Sequence, residues 1–168
     1  MENNNKSKWI DTVLLQMQEL KIDQSARVIE NCGRECLKLS GIVEKIEKLR
    51  NSVKDKNDMK LLFKAYKEKL YQNRPNLYKK DMDIYLEYQK CGCGMVTEGG
   101  VTNPFLCNCT IGYTKQIFET LFDRPVKVEL LESILNGDNI CKQKIIIENV
   151  YHAASGDSQG LHRFERLL

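Results

Sequence analysis

The sequence predicts an α+β fold, with N-terminal helices packed on a small antiparallel sheet. Two observations carry it. Apolar residues recur at three- and four-residue steps through the first half of the chain, and the period falls to two after Pro75. The helical runs also come first and the strands after them, an order that argues α+β.

Each element follows from that patterning. Ile10, Val13, Leu14, Met17 and Leu20 mark a first helix near residues 7–20. Asp23 caps a second that runs to Leu39, where Ser40-Gly41 interrupts. Ile42, Val43, Ile46, Leu49 and Val53 give a third. Met59, Leu62, Phe63, Tyr66 and Leu70 give a fourth, with Asn57 or Asp58 as its cap, and Arg74-Pro75-Asn76 ends it. Met82, Ile84, Leu86 and Tyr88 then alternate with Asp83, Tyr85, Glu87 and Gln89, the pattern of a strand with one apolar face. A loop rich in cysteine and glycine runs from Cys91 to Cys109. Thr110 opens a helix through Phe122, with Ile117, Phe118 and Leu121 on its apolar side. A strand from Val126 to Leu135 and its return, Ile140 to Val150, are joined by Asn136-Gly137-Asp138-Asn139, a strong hairpin signal. The tail, Tyr151 to Leu168, starts as a loop and ends in a short amphipathic helix through Leu161, Phe164 and Leu168.

The length of 168 residues fits a single domain: a helical part over 1–75, a cysteine-rich α+β core over 76–150 and a tail over 151–168. Apolar residues make up 42% and charged residues 29%, which excludes disorder along most of the chain. No apolar run approaches the roughly 20 residues of a membrane span. The N-terminus, with charges through its apolar stretch, is not a signal peptide. The expectation is a cytoplasmic protein that does not engage a membrane. Its seven cysteines are then thiols, ligands or redox groups rather than a disulfide framework.

The net charge of +3 is uneven: residues 45–80 hold 12 basic and 4 acidic side chains. Such a stripe could meet nucleic acid, but no aromatics are interleaved for stacking, and the solvated face of Lys-rich helices is the preferred reading. Nucleic acid is therefore not the expected partner.

The cysteines carry the chemistry. Cys91-Gly92-Cys93 and Cys107-Asn108-Cys109 form two C-x-C pairs in one 19-residue stretch, Cys141 follows the hairpin turn, and Cys32 and Cys36 share a helix face. Two pairs joined by a loop can give four thiolates to one tetrahedral metal, and soft sulfur selects zinc or an iron–sulfur centre over magnesium or calcium. Glycines beside the first pair would allow a tight knuckle. The C-x-C spacing is tighter than the usual C-x₂₋₄-C of zinc sites, so each pair can give one ligand and leave room for Cys141 or Cys36. A redox dithiol and plain buried thiols are the competing readings.

Other catalytic signals are thin. His152 and His162 both lie in the tail, a poor basis for a Cys–His pair. Glu98, Glu129 and Glu132 are candidate acids; Glu129 falls on the solvated strand face with Lys127, whereas Glu132 is in phase with the apolar face. Gly92, Gly94, Gly99 and Gly100 match neither a dinucleotide fingerprint nor a P-loop. Phe105, Tyr113, Phe118 and Phe122 could line a pocket for a small apolar ligand beside the cysteine loop, or simply form core.

From Cys91 to Ile147, about a third of the chain, the sequence resembles the 4-vinyl-reductase domain and the related aminothiazoline-carboxylate-hydrolase-like proteins. The residues that carry the likeness are Cys107-Asn108-Cys109-Thr110-Ile111-Gly112-Tyr113, Pro125 to Glu129, and Ser133 to Cys141 with its G-D-x-x-C turn. Cys32-Gly33-Arg34-Glu35-Cys36 looks like a feature of an uncharacterised bacterial branch of that group. The resemblance implies an α+β fold, small-molecule binding and, by likeness to aromatic-sensing regulators, a structural zinc held by cysteines and a glutamate. Cys141 matches the last ligand of that set, whereas Ser133 stands near the position of an expected cysteine. Sensor domains of this kind usually adjoin an effector; here output would pass through a partner or a homodimer.

The expectation is therefore a binding or sensor-like module with a structural metal, zinc first and an iron–sulfur centre second. Its ligands are Cys93, Cys107, Cys109 and Cys141, with Cys91, Cys32 and Cys36 as competitors. The alternative is a thiol-dependent hydrolase or a dithiol redox enzyme.

Overall fold

The computed structural model describes residues 2–148. The tail expectations, including His152 and His162, lie outside the described residues. The four N-terminal helices are α1 (Glu2–Gln18), α2 (Ile22–Leu39), α3 (Ile42–Ser52) and α4 (Met59–Lys69). Asp58 caps α4, its carboxylate accepting from the backbone N–H groups of Lys60 and Leu61 at 2.9 and 3.0 Å. Asp23 does not cap α2. Lys21 holds that position without a side-chain bond, and Asp23 lies in the first turn, where its charge faces the positive end of the helix dipole.

The strands are β1 (Leu77–Lys80), β2 (Asp83–Tyr88), β3 (Val126–Glu132) and β4 (Cys141–Ile147), in the order β1-β2-β4-β3, each pairing antiparallel. The fold is α+β, as the patterning predicts. Between β2 and β3 lie a single turn, α5 (Gly94–Thr97), a 3₁₀ turn over Pro104–Asn108, and α6 (Cys109–Phe122). The stretch expected to be loop therefore holds two short helical pieces. β1 was not visible in the patterning because its four residues, Leu-Tyr-Lys-Lys, carry one buried apolar side chain, Leu77. Four residues are too few to establish a period.

The sheet has one dry face. Leu77, Ile84, Leu86, Val126, Val128 and Ile145 join Leu37, Ile46, Leu49, Leu62, Phe118 and Leu121 in the main core. Burying side chains of this size contributes roughly 1.5–3 kcal/mol each. The alternation in β2 holds at its centre and fails at its edges: Ile84 and Leu86 are buried, whereas Met82, just outside the strand, is 88% exposed. The other face is polar. Tyr78 stacks on Tyr85, and Lys142–Glu87, Lys144–Asp83 and Lys127–Glu129 form ion pairs across it.

Glu132 does not belong to the dry face. A bulge between Leu130 and Glu132 shifts the register, so that Leu130 opposes buried Gln143 while Glu132 opposes Lys142 of the solvated face. The extra residue reverses the alternation that the sequence suggests. It also turns the next residue, Ser133, inward, where it is 1% exposed. The connection to β4 is then eight residues, 133–140, with Gly137 at φ +95° and the Asp138 carboxylate accepting from the Ser133 N–H at 2.7 Å.

A second, smaller core of Leu14, Ile29, Val101 and Leu106 lies under the cysteine-rich segment, with Cys93, Val96 and Cys109 packed against it. α1 is tied to it by Asp11. That carboxylate accepts from the N–H and hydroxyl of Thr102 and from the N–H of Asn103, all at 3.0–3.1 Å.

Candidate functional site

α2 and α6 cross at glycines. A Cβ on Gly33 would overlap the carbonyl of Cys109, and one on Gly112 would overlap the carbonyl of Glu30. Contact this close needs residues without side chains at both points. Ion pairs flank the crossing. Arg34 donates to both Glu119 oxygens, at 2.6 and 3.1 Å, and Lys115 reaches Glu30 at 2.7 Å. The crossing brings Cys36 of α2 onto the same wall as Cys109 at the start of α6.

That wall belongs to a cavity of about 370 Å³. Six of the seven cysteines line it: Cys36, Cys91, Cys93, Cys107, Cys109 and Cys141. They come from α2, the β2–α5 connection, the 3₁₀ turn, α6 and the first residue of β4. Cys32, also proposed as a ligand, lies one turn before Cys36 and does not line the cavity. All seven thiols are free, and Cys107 is the buried one. Among the described residues, no three of His, Cys, Asp or Glu form a group that could hold one metal ion as they stand.

Among the described residues, no acidic or basic side chain lines the cavity. Its apolar part includes Tyr113, Val96, Leu106 and Leu130. Of the four aromatics expected to form a pocket, Tyr113 alone is in this wall; Phe118 and Phe122 are main core, and Phe105 faces an open cleft beside Asp11 and Asn103. The polar part was not foreseen. The Thr114 hydroxyl donates to Gln143 Oε1 and Gln143 Nε2 donates to Thr110 Oγ1, both at 2.6 Å, and Thr110 donates on to the Cys107 carbonyl at 2.7 Å. Gln143 is the one polar inward residue in an otherwise apolar strand phase, a signal the sequence did contain. Neither Glu98, Glu129 nor Glu132 lines the cavity. Gly92 has open space around it, a Cβ on Gly94 would make only an ordinary contact with Glu98, and neither has a left-handed backbone, so the first C-x-C pair does not depend on glycine conformations.

Two of these thiols, Cys107 and Cys109, are tuned upward. Burial raises the Cys107 thiol, the Ser133 hydroxyl donating to its Sγ at 3.0 Å pulls it part-way back, and the neighbouring Cys141, Cys91 and Cys93 raise it further. Cys109 is pushed up to about 12, by burial first and then by Cys93, Cys36, Cys107 and Cys32. The backbone N–H of Ile134 donates to Cys141 Sγ at 3.5 Å. Cys107 and Cys109 stay protonated at neutral pH unless a cation offsets their charge.

A family model described as a family of unknown function (DUF6144) matches residues 1–152. The chain belongs to that family. The match takes in α2, the cysteine-rich segment, α6 and both strands of the β3–β4 hairpin, so every cavity-lining cysteine lies within the family's span. No curated protein matches the chain. Among the described residues no helix is long and apolar enough to cross a membrane.

Proposed function

We propose that this family member is a metal-binding domain whose thiol-lined cavity holds a soft metal, in a module that is sensor-like or binds a small molecule. One observation carries the reading: six cysteines from five separate segments stand on one wall system that contains no charged side chain. Inert burial explains one or two thiols in a core; it gives no reason for six around a void. Cys107 and Cys109, raised by burial and with no Lys, Arg or His among the described residues of the cavity wall, favour a bound cation, because a metal displaces the protons and supplies the missing positive charge. Raised thiols make these two poor nucleophiles for a thiol hydrolase or dithiol enzyme. Thiolate donors select zinc or an iron–sulfur centre over magnesium or calcium. The metal's role is structural, joining the cysteine-rich segment and the start of α6 to β4. The likeness to the 4-vinyl-reductase and aminothiazoline-carboxylate-hydrolase-like group is part of this proposal, and Ser133, near the position of an expected cysteine, bonds to the Cys107 sulfur.

The test is elemental analysis of protein purified without oxidation, paired with thermal melts before and after chelation. Bound thiophilic metal and a melting temperature lowered by chelator are expected. A metal-free protein whose melt ignores the chelator overturns the reading.

A further inference from the structure

Resting on the metal-binding reading above, we infer that the cavity is built for an iron–sulfur cluster rather than for one zinc ion. The argument is spacing. Four thiolates at ~2.3 Å from one zinc lie within about 3.8 Å of each other and enclose no space. Here no such tight group exists among the described residues, and six cysteines instead share, with residues such as Tyr88, Tyr113 and Leu130, the lining of a cavity of about 370 Å³. A water molecule takes roughly 30 Å³ of liquid, so the cavity has room for more than one ion. A cluster brings its own sulfide, which occupies the middle, and its irons reach outward to thiolates that do not touch one another.

The donor set agrees. Among the described residues the cavity offers sulfur and no imidazole or carboxylate, and the hydroxyl and amide groups of Thr110, Thr114 and Gln143 are bonded among themselves. Two sulfurs accept hydrogen bonds, Cys107 from Ser133 and Cys141 from the Ile134 N–H, the kind of contact that sets a cluster's reduction potential. Four ligands suffice. Cys93, Cys107, Cys109 and Cys141 line the cavity from four separate segments and form the assigned set. Cys36 and Cys91 remain on the wall.

The experiment uses the whole chain under anaerobic conditions. Protein is incubated with ferric iron, sulfide and a thiol reductant, or with zinc alone, and desalted. Iron and acid-labile sulfide retained in roughly equal amounts, with broad visible absorption that bleaches on dithionite, is the expected result. Cys93→Ser and Cys107→Ser should each lower retained iron several-fold, and Cys32→Ser should not, with circular dichroism confirming that the variants fold. If Cys93→Ser misfolds, protection of Cys93 from alkylation by the bound cluster gives the same answer. One retained zinc with iron and sulfide washed out overturns the cluster but leaves the metal-binding reading standing. Iron without sulfide also overturns the cluster. Retention of neither metal overturns both.

Discussion

At the residue scale, two glycines decide where the sulfurs go. Gly33 and Gly112 are both meeting points of α2 and α6, and each faces a backbone carbonyl that leaves no room for a methyl group. Gly112→Ala should therefore force the helices apart. Overpacking of this kind costs about 1–3 kcal/mol, and backbone rather than a flexible side chain must move, so the upper part of that range is expected. Urea denaturation checks it. A change below ~0.5 kcal/mol would mean that the helices separate freely. Both glycines were quoted in the sequence for their motifs, yet their role was not legible there. A glycine inside a helical pattern does not say which carbonyl lies opposite it.

At the element scale, the long helices were legible and the short pieces were not. α2, α3, α4 and α6 carry enough turns for their apolar stripes to repeat. β1, α5 and the 3₁₀ turn span four or five residues each, and their formation depends on contacts that a local pattern does not record. The same limit applies to Glu132, displaced by one inserted residue in β3. Of the site, the convergence of sulfur was legible, because paired cysteines are rare enough to stand out. The participation of Cys36 but not Cys32, and the Thr114–Gln143–Thr110 chain, required the crossing of α2 on α6. That crossing is also held by charge. Arg34 binds Glu119 through two nitrogens, with both side chains about one quarter exposed. Arg34→Met should cost about 1–2 kcal/mol, between an exposed pair and a buried charged hydrogen bond. The same loss from Glu119→Gln, and little further loss in the double variant, would locate the effect in the pair. Additive losses would refute it.

At the scale of the whole molecule, the cavity lies against the smaller core, with Cys93, Val96, Leu106 and Cys109 common to both, and this shapes its response to pH. Cys109 has an ordinary value of 9.0 when unfolded and about 12 when folded. The folded chain then keeps a proton that the unfolded chain releases. Its stabilising contribution is complete below pH 9 and is lost as pH rises toward 12. Metal-free protein should lose stability across that window, and Cys109→Ser should lose less. Identical pH profiles for the two proteins would show that this thiol is not held protonated by the fold.

Asp11 lies 91 residues before Thr102, yet its carboxylate holds the strand of chain that separates the two C-x-C pairs. Tags or deletions that unwind the first helix would let go of that strand from a distance. A shortened version lacking those opening turns would keep every cysteine and still present a slackened rim, so preparations for any metal measurement should leave the amino-terminal helix whole.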